Sequence, residues 1–127
     1  MKNPFYSLGR IKEELNYAKK LGVNYIDLHD SAFNLNPKFK EICKMIQGIN
    51  TNKSLSLKVF VQAENLNKED VELMAEANIT HAEVGLQTTN SKTLSKIGRN
   101  TNLESWLEGV NLLKKRGINI TVDIMIG

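Results

Sequence analysis

The seven residues His81-Ala82-Glu83-Val84-Gly85-Leu86-Gln87 alternate strictly. Ala82, Val84 and Leu86 share one parity; Glu83, Gly85 and Gln87 share the other. Side chains on a strand alternate faces with period two, so the stretch predicts a strand with one apolar face and one face bearing a carboxylate and an amide. The segments on either side have helical rather than strand periodicity. That favours a parallel strand whose apolar face is covered by helices. The polar face then looks into a barrel or crevice, and the carboxyl end of such a strand is where α/β folds place their ligand sites.

The rest of the chain repeats this arrangement. Ser7 to Lys20 predicts a helix with Leu8, Ile11, Leu15 and Ala18 on one face, stopped at Gly22. Val23 to Asp30 predicts a strand with Ile26 and Leu28 toward the helices, and Asp27 and His29 away from them. Asn36-Pro37 reads as a helix start, with proline at the first helical position, and the helix runs to about Gln47. It buries Phe39, Ile42, Cys43 and Ile46. Leu55 to Glu64 predicts a strand in which Val59, Val61 and Ala63 alternate with Phe60, Gln62 and Glu64. Asn67 caps a helix ending near Ala77. Beyond the strand already described, Asn90-Ser91 opens a short helix that stops at Gly98. Asn102 caps another helix, with Leu103, Trp106, Leu107, Val110 and Leu113 inward and Gly117 at its end. Ile118 to Gly127 predicts the last strand, with Thr121, Asp123 and Met125 on the polar side. Strands and helices in strict alternation imply parallel pairing through right-handed crossovers. The expected fold is α/β: a partial (βα) barrel of about four parallel strands with covering helices, one domain over residues 1–127. A complete eight-stranded barrel takes ~250 residues.

Composition excludes several classes. With 41% hydrophobic and 24% charged residues the chain is expected to be soluble and globular. No apolar run approaches the ~20 residues of a membrane span, and the first residues show no signal core. The net charge of +3 comes from scattered lysines, several of them at helix ends, so no nucleic-acid partner and no membrane partner is expected. One cysteine, Cys43, rules out an internal disulfide and an all-cysteine metal or cluster site within the chain, and points to the cytoplasm.

The polar parity of the strands collects Asp27, His29 and Asp30, then Gln62 and Glu64, then Glu83 and Gln87, then Asp123. Carboxylates held away from water require cations, hydroxyls or a ligand, so this row is the candidate site. Asp27 and His29 with Glu64 raise the thought of a divalent metal, but no known ligand spacing supports it. Cys43 and Trp106, each on an apolar helical stripe, read as core.

Asp30-Ser31-Ala32-Phe33-Asn34-Leu35-Asn36, then Glu83-Val84-Gly85-Leu86-Gln87-Thr88-Thr89-Asn90 with Leu94, Ile97 and Arg99, then Val122-Asp123-Ile124-Met125-Ile126-Gly127, together resemble the core of radical S-adenosylmethionine (SAM) enzymes. The closest flavour is the group that often carries an upstream cobalamin-binding domain. The resemblance covers nearly the whole chain. It implies that Gln87 and Asp123 hydrogen-bond the ribose hydroxyls of SAM, and that Arg99 pairs with the methionyl carboxylate. Glu64 or Gln62 falls where the family has a further polar contact, and parity does not choose between them; Glu83 belongs to the same inner row, and Asp30 matches the acidic end of the second family strand.

The same resemblance implies SAM and a [4Fe-4S] cluster as cofactors of a parent enzyme. It also exposes a departure. The family holds its cluster on a Cys-x3-Cys-x2-Cys loop, absent here, and continues past the last strand through a Leu-Pro-Gly turn. The chain is therefore expected to be an internal fragment, inactive alone. The alternative is a non-catalytic α/β module that assembles with a partner or binds a small molecule. Both sheet edges, Val23–Asp30 and Ile118–Met125, are expected to lack neighbours, which predicts a homodimer or edge-to-edge association.

Overall fold

The computed structural model describes residues 8–29, 32–86 and 100–124. Helix α1 (Leu8–Lys20) buries Leu15 and ends with two lysines in its last turn, where cations complement the helix dipole. Gly22 follows at φ +83°, a left-handed conformation that glycine adopts without a Cβ clash. Strand β1 (Tyr25–Leu28) is short, and a 3-10 turn (Phe33–Leu35) leads on to α2 (Phe39–Ile49). This helix starts two residues later than Asn36-Pro37 suggests. The Asn36 side chain accepts from the Lys38 amide at 2.9 Å, so it closes a local turn instead of capping a helix.

Strand β2 (Ser56–Val61) ends before Gln62 and gives way to a second 3-10 turn (Ala63–Asn65). Helix α3 (Lys68–Glu76) begins as expected, with the Asn67 side chain accepting from the Asp70 amide. Strand β3 (Ile79–Leu86) precedes α4 (Asn100–Lys115) and β4 (Asn119–Ile124). Asn102 thus lies within the first turn of α4, two residues past its start. The short helix expected from Asn90 to Gly98 falls outside the described residues.

The four strands form one parallel sheet in the order β1-β2-β3-β4. This is the sequential, all-parallel layout expected of a partial barrel. The core lies on the helix side of the sheet: Leu57, Val59, Val61, Ala82 and Val84 are fully buried there against Ile46, Met74 and Leu113. Buried Asn50 joins three elements at the amino end of the sheet. Its Nδ2 donates to the carbonyls of Leu55 at 2.8 Å and Ala77 at 3.2 Å, and its Oδ1 accepts from the Leu55 amide at 3.0 Å. Cys43 is buried in the same core, as its place on an apolar stripe implies. Among the described residues no helix is long and apolar enough to cross a membrane.

Candidate functional site

On the face opposite the helices, the register places Asp27 beside Lys58, Lys58 beside His81, Phe60 beside Glu83, Glu83 beside Thr121, and Gly85 beside Asp123. Side chains on parallel strands lean along the strand direction, so contacts form diagonally as well as straight across. Lys58 reaches forward to Glu83, with Nζ 3.0 Å from Oε1, and lies 3.8 Å from Asp27 Oδ2. Glu83 is in turn hydrogen-bonded to Asp123, side chain to side chain. His29 Nε2 lies 3.6 Å from Asp27 Oδ2, and His81 Nε2 is 2.6 Å from Thr121 Oγ1. The structure therefore brings Asp27 and Glu83 to one ammonium, with Asp123 against Glu83 on the next strand.

The electrostatics follow from these partners. The hydrogen bond it donates to Glu83 holds the Lys58 ammonium above its usual range, aided by the nearby charges of Glu83 and Asp27. The hydrogen bond with Asp123, then that from Lys58, draws Glu83 below the usual carboxylate range. Asp123 moves the opposite way: its hydrogen bond to the Glu83 carboxylate, with the negative charge there, favours its protonated form. Side-chain exposures of 24% for Lys58 and 26% for Glu83 show that these groups are held against the sheet, not spread into solvent. An open pocket of about 460 Å³ lies over them, lined by Asp27, Leu28, His29, Lys58, Val59, Phe60 and Glu83.

Gln62 and Glu64 do not join this cluster. The Asn34 side chain accepts from the Gln62 amide at 2.9 Å and donates to its carbonyl at 3.0 Å, occupying the two backbone groups a continuing strand would use. The Gln62 side chain accepts from Asn65 at 2.9 Å, and Glu64 sits in the 3-10 turn. Helix α4 presses on this turn: a Cβ built on Gly109 would lie 1.9 Å from the Ala63 carbonyl oxygen, so only glycine permits the approach. The strand parity that ran Gln62 and Glu64 into one row with Phe60 breaks at this point. Asp30, Gln87 and Arg99 lie outside the described residues.

Two groups have roles on this face that the sequence does not show. Lys58 shares the parity of Phe60 within β2, and a row of inward carboxylates itself calls for a cation; together these were the available signal. Trp106, expected only to pack, also donates from Nε1 to the Gly85 carbonyl at 3.1 Å, fastening α4 to the carboxyl end of β3. Asp27 and His29 are paired, but among the described residues no group of three or more histidine, cysteine, aspartate or glutamate side chains is placed to hold a metal ion.

Comparison with known proteins bears on what such a face serves. The sequence profile of the radical SAM superfamily matches residues 1–127. No curated protein matches the chain by sequence. Two solved structures of the radical SAM methyltransferase TsrM from Kitasatospora setae superpose with a TM-score of 0.82 at 24% identity. One contains cobalamin and a [4Fe-4S] cluster; the other contains tryptophan substrate and the SAM analogue aza-SAM. The likeness covers 95% of this chain and 25% of those chains, so the protein spans about a quarter of the length of these relatives and shares the fold of that quarter.

Proposed function

The chain belongs to the radical SAM superfamily, and from that premise we propose that its inner sheet face receives SAM within a SAM-dependent, iron–sulfur enzyme. The observation that carries this is the Lys58–Glu83 ion pair in the wall of an open pocket, with Asp123 beside Glu83 on the neighbouring strand. Carboxyl oxygens at the carboxyl end of β4 suit the hydroxyls of a ribose, which donate hydrogen bonds. Asp123 is the group assigned to that role, with Glu83 behind it. Gln87 would add a second ribose contact and Arg99 a partner for the methionyl carboxylate. Asp30, Gln62 and Glu64 are lesser contacts, of which Gln62 and Glu64 are already committed to the turn after β2.

The residues present do not fit a [4Fe-4S] cluster. Cluster ligation takes several thiolates, and the chain has one cysteine. The Cys43 thiol is buried among the core of α2, and burial, aided by the charge of Asp70, pushes it up to about 12, far from the thiolate a metal needs. The cluster thiolates have to be supplied by a segment other than these residues, and the chain by itself does not cleave SAM. Cofactor chemistry of this kind belongs to a reducing compartment, and we place the protein in the cytoplasm.

A second part of the proposal concerns the sheet edges. Tyr17, Leu21, Val23 and Tyr25 are exposed on the β1 flank, and Leu107 and Val122 on the β4 flank. Both flanks thus offer apolar surface beside an unpaired strand edge among the described residues. A second copy brings the matching edge, and two sets of four parallel strands give the eight that close a small barrel. Sedimentation equilibrium at several concentrations tests it; a monomer throughout would remove this part.

SAM binding is tested by calorimetry on the chain and on Asp123→Ala. Saturable binding that the substitution weakens supports the reading. Equal binding by both proteins overturns the assignment of Asp123, and no binding by either overturns the site.

A further inference from the structure

Trp106 and Gly109 stand one turn apart on the same side of α4, and each meets the carboxyl end of a different strand. The Trp106 Nε1–H donates to the Gly85 carbonyl at 3.1 Å, near the end of β3. Gly109 is buried against the turn that follows β2, where a Cβ would come within 1.9 Å of the Ala63 carbonyl oxygen. Without that Cβ the helix lies close enough for the indole to reach the strand. A carbonyl oxygen carries two lone pairs, so the indole bond leaves one for the sheet. The oxygen lies in the plane of the ladder, and a bond to it from the helix side also fixes what stands on the other side. There Gly85 has no side chain, and the tip of the Phe60 ring rests 3.5 Å from the point a Cβ would occupy. Phe60 lines the open pocket, and Gly85 pairs in register with Asp123.

We propose that Trp106 is a positioning residue for the open face: with Gly109 seating α4 against the turn after β2, its indole N–H holds the Gly85 backbone at the level on which Phe60 and Asp123 meet a ligand. The brace joins β2 and β3, the two strands that carry Lys58, Phe60 and Glu83, from the covered side of the sheet. A ligand that presses on Phe60 or Asp123 shifts the Gly85 peptide, and the shift reaches the indole through one hydrogen bond. The single tryptophan of the chain therefore reports on the opposite face of the sheet. This deepens the SAM reading, on which the identity of the ligand rests; the brace itself does not depend on it.

NMR of the indole N–H, with and without SAM, tests the proposal. In the ligand-free parent the indole proton should resist exchange with deuterated solvent. Trp106→Phe keeps a ring and removes the donor, so it should shift the Gly85 amide and Phe60 ring signals. On adding SAM to the parent, the indole signal should move saturably, with the midpoint that calorimetry gives. Trp106→Phe should weaken SAM binding about two- to tenfold, the range of one neutral hydrogen bond. Ile46→Val, which trims the core from α2, controls for stability alone: it should lower the unfolding midpoint and leave SAM affinity unchanged. If Trp106→Phe fails to fold, the indole signal of the parent decides the matter. An indole proton that exchanges freely, SAM binding without an indole shift, or equal affinity in a folded Trp106→Phe would overturn the proposal. An affinity loss in Ile46→Val as large as that in Trp106→Phe would reduce Trp106 to packing and overturn it too. Shifts at Gly85 and Phe60 in Trp106→Phe, with no SAM binding by either protein, keep the brace and remove the ligand assignment.

Discussion

The two faces of β2 show how differently one strand can be used. Leu57, Val59 and Val61 are fully buried on the helix side, while Ser56, Lys58 and Phe60 on the other side are only half-buried. The first face is dense and apolar, and every methylene there stabilises the fold. The second carries ion pairs in partial contact with water, where charge pairs contribute little to stability. Stability and chemistry have been assigned to opposite faces of one sheet. A substitution should therefore act on folding or on binding according to its parity.

The largest effect that would test this division is on the buried face. Leu57→Ala should lower unfolding free energy by about 2–5 kcal/mol, read by denaturant titration, because it removes fully buried atoms and leaves a cavity in the core. A cost comparable with that of an exposed-face substitution would break the comparison. Next comes Gly109→Ala. The added methyl meets the Ala63 carbonyl head-on, and overpacking of this kind costs about 1–3 kcal/mol. Because the 3-10 turn must move, this variant should also disturb the amide signals of Gln62 and Asn65, linking the covered face to the rim of the open one.

The smallest stability effect is expected on the open face, and its sign depends on pH. Glu83 has a lowered folded-state value, so its contribution is present above its unfolded pKa and is lost as pH falls through the folded one. Asp123 has a raised value, so its contribution is present below its unfolded pKa and is lost as pH rises through the folded one. The two oppose each other. Asp123→Asn removes the second, so the variant should no longer lose stability as pH rises from the ordinary aspartate range through the raised Asp123 value. Thermal unfolding of both proteins across that window checks it; parallel curves would mean the pair is not linked as described.

Much of this division was legible in the order of residues. The alternation at His81–Gln87 and in β2 marks the buried face because burial of apolar side chains needs only local parity. Asp27, Glu83 and Asp123 were found in the same way. Lys58 was missed because its importance comes from register: nothing within β2 says that Glu83 lies diagonally ahead on the next strand. Gln62 and Glu64 were misplaced for a related reason. The strand is ended by Asn34, 28 residues earlier in the chain, and by the fit of α4 at Gly109. Local pattern carries no trace of either contact. The late start of α2 has a local cause: Asn36-Pro37 reads as a helix start, but an Asn that can cap a helix can equally close a turn, and here it takes the Lys38 amide.

The central claim is that the open face, not the covered one, receives SAM. Backbone amide NMR during SAM titration tests it most directly. The account predicts saturable shifts at Lys58, Glu83, Gly85 and Asp123, lost or strongly weakened in Asp123→Ala, with Val71, Met74 and Leu113 undisturbed. Saturable shifts centred on α2, α3 or α4, with the inner strands silent, would contradict it.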